Sequence, residues 1–593
     1  MSARVSEASG FLEAASGAAL YVRHYLPDEV RGPVVMLVGP DGEERIWSQR
    51  TMVNLARYLA RAGSPVVRFD FRGQGESDGN YEETDALSRV DDVALVADWI
   101  GQASPVPPVL IGVRLGANVA ARYLRSRTEA GRLIAIEPMH PVGPVIDELL
   151  RKNVAHQYLV HKKLLHTRPQ LLQQIRDGGT VTCSGFLLGP PLAFSIQELD
   201  WLPDTIPAAW SVLKLGEYGG EGESIPDIAP FWKDGPTYRS CPVSLFNRVA
   251  ELVVQASGTR LGVRDTLATL APRAPDGRET ITFDTPQGIA VGTWHPANGH
   301  GVVALITNAG PNDRSSPHGL AHRLARFFQS RGVPALRIDG RGAGESAGDD
   351  EARQNRPTPD VHREINSGDH VPAARAALAW LRAQGARKVI MTGLCGGAVN
   401  AMLAAGSERD LEFRMVPLGI PVLHLGALEE VEFPEEVMRD EFTRLKMKLL
   451  RPSAILRFLT FRTDYRVFWL ILRSRLGQFF QGRPGAQAPP TLHPNAIGPM
   501  IESWQALSRR GTRTTFVFAS FDLLYVLFLK HFPPLANGGA LPAGSDILVI
   551  EKANHILSDR SSEAQLVAFL DQVVEEAFAG ARSPTGRRVR NGA

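Results

Sequence analysis

The chain has 593 residues, 44% of them hydrophobic and 22% charged, with a net charge of +2. Such a balance is that of an ordinary globular protein, gives no electrostatic reason to expect a nucleic-acid partner, and runs to a length that requires two or more domains. Cys183, Cys241 and Cys395 are the only cysteines and lie far apart, so they form neither a disulfide framework nor a zinc pattern. No metal or cofactor is expected. The opening MSARVSEASGFLEAASG lacks an apolar signal core. No uncharged apolar stretch is long enough to span a bilayer. The expected compartment is therefore the cytoplasm, where a free thiol stays reduced.

Read from its N-terminus, the chain carries one unit written twice. Residues 34–79 contain VVMLVGP, the helical ARYLARAG and PVVRFDFRGQGESDG; residues 302–348 contain VVALITNAGP, ARFFQSRG and PALRIDGRGAGESAG. Each copy predicts strand, loop, amphipathic helix, strand and Gly-rich turn. Each continues with a second helix (VALVADWI; ARAALAWLRAQG) and a strand ending in a sharp turn. Alternating strands and helices imply a parallel sheet covered on both faces. The expected architecture is α/β, two tandem domains over 1–272 and 273–593, each with a helical cap insertion. APRAPDGRET, 271–280, supplies the Pro/Gly-rich boundary.

The Gly-rich turns around Asp70–Ser77 and Asp339–Ser346 lack the Lys-Ser/Thr ending of a phosphate loop and the glycine spacing of a dinucleotide turn, so a tight structural turn is the better reading. The second pair of turns carries more chemistry. Val389, Ile390 and Met391 predict a buried strand, Gly393-Leu394-Cys395-Gly396-Gly397 follows, and Ala398–Leu403 reads as a small-residue helix. Strand, glycine-flanked nucleophile and helix make up the nucleophile elbow. A helix N-terminus beside Cys395 favours the thiolate. In the first copy the matching turn is Gly112-Val113-Arg114-Leu115-Gly116.

The D-x-R-G-x-G-E-S turn followed by an elbow resembles the α/β-hydrolase superfamily, most closely its serine-aminopeptidase-like branch, which includes hydrolases found with bacterial exosortase systems. GVRLGA in the first copy is similar to one exosortase-associated subgroup whose elbow carries Arg. In this family the triad runs nucleophile, acid, histidine along the chain. The first copy has Arg114 at the nucleophile position, where a guanidinium cannot attack. It also has no histidine between His166 and His295. It is expected to be non-catalytic, with Arg114 either holding an anionic group or, the favoured alternative, paired to an internal carboxylate. His140, His156, His161 and His166 read as cap residues.

For the second copy the resemblance implies a complete set. Asp522 follows the apolar run Thr515–Ser520 at the place of the triad acid, and His555 follows Ile547–Ile550 at the place of the histidine. His555 would take the Cys395 proton and Asp522 would fix its tautomer. The resemblance places oxyanion donors at the Gly396 N–H and in Asn308–Asn312, where Gly310 or Asn312 must serve because Pro311 has no N–H. His424 is expected on the pocket rim. His531, Asp546, Asp559, Cys183 and Cys241 read as structural.

Residues 425–510 are expected to form a lid. Within it, 435–480 mixes basic, apolar and aromatic residues. Packing of that face on the protein is favoured over contact with a membrane surface. The implied function is cleavage or transfer of an acyl group through a Cys-His-Asp triad, on a small-molecule or carrier-bound acyl substrate. The alternatives are a non-catalytic scaffold and a membrane-surface lipid hydrolase.

Overall fold

The computed structural model describes residues 4–581 except 105, 128–130, 162, 202–205, 256–266, 268, 300, 349, 425–491 and 537–539. Two eight-stranded sheets organise the described residues. The first comprises β1 (Val5–Glu13), β2 (Ala19–Pro27), β3 (Val35–Val38), β4 (Val66–Phe69), β5 (Val109–Val113), β6 (Leu133–Ile136), β9 (Trp210–Lys214) and β10 (Glu223–Ser224). A small hairpin, β7 (Val181–Cys183) with β8 (Phe186–Leu188), lies outside it. The second comprises β11 (Glu279–Thr285), β12 (Gly288–His295), β13 (Val302–Thr307), β14 (Ala335–Ile338), β15 (Lys388–Leu394), β16 (Glu412–Leu418), β17 (Arg513–Ala519) and β18 (Ser545–Ile550).

The strand orders, β1-β2-β4-β3-β5-β6-β9-β10 and β11-β12-β14-β13-β15-β16-β17-β18, are one topology repeated. In each sheet the opening hairpin is antiparallel and the remaining strands are parallel. The central parallel strands are buried on both faces, as the unbroken apolar runs VMLV and VVALIT require. In the second lobe one face packs under helices Val371–Ala383, Gly396–Ser407 and Gly498–Arg509. The other packs under Leu320–Ser330 and Arg560–Ala581. Helix Gly498–Arg509 corrects the expected lid boundary. Met500, Trp504 and Leu507 are fully buried, and the Trp504 indole donates to Ser545 Oγ at 3.1 Å, so this segment belongs to the core layer. The rest of the expected lid, 425–491, lies outside the described residues.

The two Gly-rich turns join the lobes. Within each lobe the turn's aspartate is held by an arginine: Arg45 forks onto Asp70 at 3.0–3.1 Å, and Arg314 meets Asp339 at 2.6 Å. Each aspartate also accepts the backbone N–H of its own turn's glutamate, at 3.0 Å in both copies. Each glutamate side chain then crosses to the other lobe. Glu76 takes a two-pronged contact from Arg337, at 2.8 and 2.7 Å, and a hydroxyl from Thr293 at 3.0 Å. Glu345 accepts from Tyr21 at 2.7 Å and is bound by Arg68 and Arg23 of the first lobe and by Arg314 of its own. All of these charges are buried. Burial alone would raise both carboxyls, but the surrounding guanidiniums override it, holding Glu345 down at about 2 and Glu76 well below the usual carboxylate range.

The expected boundary segment is also tied down. Phe11 and Ala271 exchange backbone hydrogen bonds at 2.8 and 3.3 Å, which covers the β1 edge. Arg278, fully buried, reaches Asp78 at 2.5 Å across the junction and lies over the Phe11 ring.

Candidate active site

Two residues that are not glycine hold the same strained turn. Arg114 has φ 55°, ψ −126°, and Cys395 has φ 55°, ψ −123°. Such a backbone costs of order 1–3 kcal/mol and persists only where its surroundings enforce it. Here glycines do so by allowing close approach. A Cβ on Gly116 would collide with the Val38 and Gly39 carbonyls, and one on Gly397 with the Asn308 carbonyl. The turn lifts each side chain above the C-terminal ends of its parallel strands, immediately before helix Leu115–Arg125 or Gly396–Ser407. Cys395 is partly exposed, whereas Cys183 and Cys241 are buried. Burial pushes the Cys183 thiol up to about 12, which leaves it inert.

The second lobe brings Cys395, His555 and Asp522 together. His555 Nδ1 lies 2.8 Å from Asp522 Oδ2, and the Cys395 sulfur acts electrostatically on the same ring. Burial works against charging this imidazole. The Asp522 carboxylate and the Cys395 sulfur outweigh it and hold the His555 pKa well above its usual value. Asp522 also caps helix Leu523–His531, its Oδ1 accepting Leu524 N–H at 2.9 Å. One carboxylate oxygen therefore fixes the aspartate and the other faces the histidine. The loops after β17 and β18 are tied by Ser520 N–H to Ile550 O at 3.0 Å and Phe521 N–H to Ala553 O at 3.1 Å, which sets the spacing of Asp522 and His555.

Gly419 escaped the sequence reading. It follows β16 with φ +49°, and a Cβ there would sit 2.8 Å from His555 Cε1 and 3.0 Å from Asp522 Oδ2. Its signal was a glycine directly after an apolar strand, in Met415-Val416-Pro417-Leu418-Gly419.

On the oxyanion side, Gly310 packs beside Gly396: a Cβ on Gly396 would lie 3.7 Å from Gly310 Cα. Asn308 braces the loop by donating to the Gly310 and Asn312 carbonyls at 2.8 and 2.9 Å. Asn312 N–H is spent on Ala309 O at 3.2 Å, so of the two expected loop donors Gly310 is the one carried forward. A π-helical turn, Ile365–Asp369, brings a further group to the elbow; such bulges often occur at functional sites. The Asn366 carboxamide is fully buried, and neither its Oδ1 nor its Nδ2 has a partner among the described residues. A Cβ on Gly396 would sit 2.9 Å from Ile365 Cγ2 and 3.0 Å from Asn366 Oδ1, so a larger residue there would have to displace those side chains. His424 lies at the edge of the described region, its N–H bonded to Asn495 O at 3.1 Å. Burial and the nearby Arg363 lower its pKa. His531 packs edge-on against His493 at 5.0 Å.

The first lobe's elbow is filled by its own residues. Arg114 meets Glu44 through Nε and Nη2 at 3.1–3.2 Å and Glu217 at 3.3 Å. Its guanidinium lies 5.0 Å from the Trp232 ring centre. Glu217 is three residues past β9, as Asp522 is three residues past β17. Burial raises the Glu44 carboxyl against the pull of Arg114. Among the described residues no cluster of three metal-ligating side chains occurs, and no helix is long and apolar enough to cross a membrane.

Residues 45–177 match the hydrolase family model described as serine aminopeptidase, S33. An uncharacterized protein of Rickettsia prowazekii is 27% identical over 116 residues, 19% of this chain and 47% of the relative; the chain thus spans about half the length of that curated relative. Among solved structures, an esterase of Pyrococcus furiosus is 12% identical, over 51% of this chain and 91% of its own, at a TM-score of 0.30. An α/β hydrolase of Penicillium sp. sh18 is 14% identical, over 51% and 99%, at 0.31. A lidless α/β serine hydrolase of Xanthomonas campestris is 13% identical, over 52% and 97%, at 0.28.

Proposed function

From the premise that the chain is a tandem member of the α/β-hydrolase superfamily, we propose that its second lobe is an acyl hydrolase or acyltransferase working through Cys395, His555 and Asp522. The first lobe, over 1–272, is proposed to be non-catalytic, and 273–593 to be the catalytic unit. The observation that carries this reading is the strained Cys395 elbow within reach of an imidazole that Asp522 keeps basic.

In the first step the Cys395 thiolate attacks the acyl carbon. The oxyanion that forms is met by the N–H groups of Gly396 and Gly310. The Asn366 carboxamide beside Gly396, buried with no partner among the described residues, is a third group suited to a substrate oxygen. The imidazolium of His555 gives its proton to the departing group, and a thioester on Cys395 remains. His555, now neutral, takes a proton from water or from an acceptor alcohol, amine or thiol, which attacks the thioester. Collapse of that adduct returns the thiolate. Asp522 holds the ring in the orientation that presents Nε2 to sulfur. The substrate is read as a small-molecule or carrier-bound acyl compound.

In the first lobe the Arg114 guanidinium is already neutralised by Glu44 and Glu217, which argues against an anion site there. Intact-mass measurement after exposure to acyl thioesters and esters tests the proposal. A single adduct on Cys395, absent in His555→Ala, is the expected result.

A further inference from the structure

A cavity of about 430 Å³ lies between the lobes, within the ~300–1,000 Å³ of small-ligand pockets. The first lobe supplies Ile46, Trp47 and Phe231 to its wall, and the second supplies Pro311, Pro359 and His362. Ile46 and Trp47 are half-buried; Ile46 also lines the cavity beside the Gly73–Ser77 turn, and Trp47 the one beside Arg114. The cations around it are already engaged: Arg50 with the Gly344 and Ser346 carbonyls, Arg239 with the Pro230 carbonyl, Lys233 with Glu217. Asp313 is engaged by Arg45. An uncharged apolar ligand would disturb none of these contacts.

The cavity adjoins the catalytic loop. Its Pro311 and Asn312 belong to the loop that carries Gly310. His362 Cε1 lies 3.1 Å from where a Cβ on Gly310 would stand. Gly310 in turn abuts Gly396, the residue after Cys395. His362 feels both Asp234 of the first lobe and His555 of the triad, which sets it at the seam between cavity and active site. Its Nδ1 is buried without a partner among the described residues.

We infer that this cavity is a substrate subsite for the uncharged, apolar chain of an acyl compound, and that the first lobe supplies half of it. The inference rests on the acyl-transfer reading of Cys395. It gives the first lobe a role in selectivity that its disabled elbow does not.

Two measurements separate the inference from the reading beneath it. The first is acylation of Cys395 by N-acetylcysteamine thioesters with chains of two to twelve carbons, read by intact mass. Ile46→Trp, which fills the cavity, should lower the ratio of dodecanoyl to acetyl acylation at least tenfold. Trp47→Ala, which opens it, should raise that ratio severalfold and carries the test if Ile46→Trp does not fold. An unchanged ratio in the folded variants overturns the subsite and leaves the acyl-transfer reading standing. The second is calorimetric binding of decanol to full-length Cys395→Ala. Binding should weaken at least tenfold in Cys395→Ala/Ile46→Trp, and decanoate should bind at least tenfold less tightly than decanol. If decanol binds in this way but no thioester acylates Cys395, the subsite stands and the acyl-transfer reading falls. No decanol binding, or equal binding by the double variant, overturns the subsite.

Discussion

The elbows of the two lobes share backbone torsions to within a few degrees and differ in everything those torsions usually serve. At Cys395 the turn meets an imidazole and a carboxylate, and a glycine follows it, leaving room for Asn366. At Arg114 the turn meets Glu44, Glu217 and Trp232, and Leu115 follows it. In the first lobe the strained geometry stands without a nucleophile. The glycine packing that enforces the turn, Gly116 against the β3 end, is also what seats helix Leu115–Arg125 on the sheet. The elbow is thus a folding requirement of the repeat, and chemistry is added to it by the side chains that converge there.

The largest effects should come from the catalytic side of that comparison. Cys395→Ala should lower turnover of acyl substrates by about 10⁴-fold or more, by analogy with nucleophile removal in triad enzymes. His555→Ala should slow labelling of Cys395 by iodoacetamide at pH 6 by about 10²-fold, because the imidazole that takes up the thiol proton is then gone. Equal labelling rates in parent and variant would remove the distinction between the elbows. Arg114→Cys should gain no acyl adduct at residue 114, since no imidazole faces it. A second adduct there would break the comparison from the other side.

Stability effects follow. Glu345→Gln leaves Arg23, Arg68 and Arg314 facing one another in a buried site and should cost about 3–5 kcal/mol, read by urea unfolding. Glu345 has a folded pKa of about 2, lower than its ordinary 4.5, so its contribution is fully present above about pH 4.5. It is lost as pH falls through about 2. The acid unfolding midpoint of Glu345→Gln should accordingly show less dependence on pH across that window. The smallest effect should be Arg114→Ala, about 1–2 kcal/mol, since Glu44 and Glu217 keep partial access to solvent.

Much of this was legible in the chain. The repeated strand–helix–strand pattern predicted the two sheets, and the family resemblance pointed to Asp522 and His555, which lie 2.8 Å apart. What sequence could not give was convergence between the copies. Glu76 and Glu345 read as parts of tight turns, which they are, but their side chains exchange partners across the interface with Arg337 and Arg68. The only trace of this was an arginine at the same place in both short strands, VVRF and ALRI, where a buried parallel strand should be apolar throughout. Gly419 and Asn366 were hidden for another reason. Their roles depend on what lies opposite them in space, and local pattern carries no record of that. Helix Gly498–Arg509 read as lid because it follows an insertion, although the spacing of Met500, Trp504 and Leu507 already suited a core face.

The central claim is that a sulfur–imidazole pair in the second lobe forms a covalent acyl intermediate. It is tested most directly by trapping that intermediate with acetyl- and decanoyl-N-acetylcysteamine at neutral pH, followed by peptide mapping of the intact-mass adduct. The account predicts one acyl group, on Cys395, lost in His555→Ala. Acylation spread equally over Cys183, Cys241 and Cys395, or none under any condition, would contradict it.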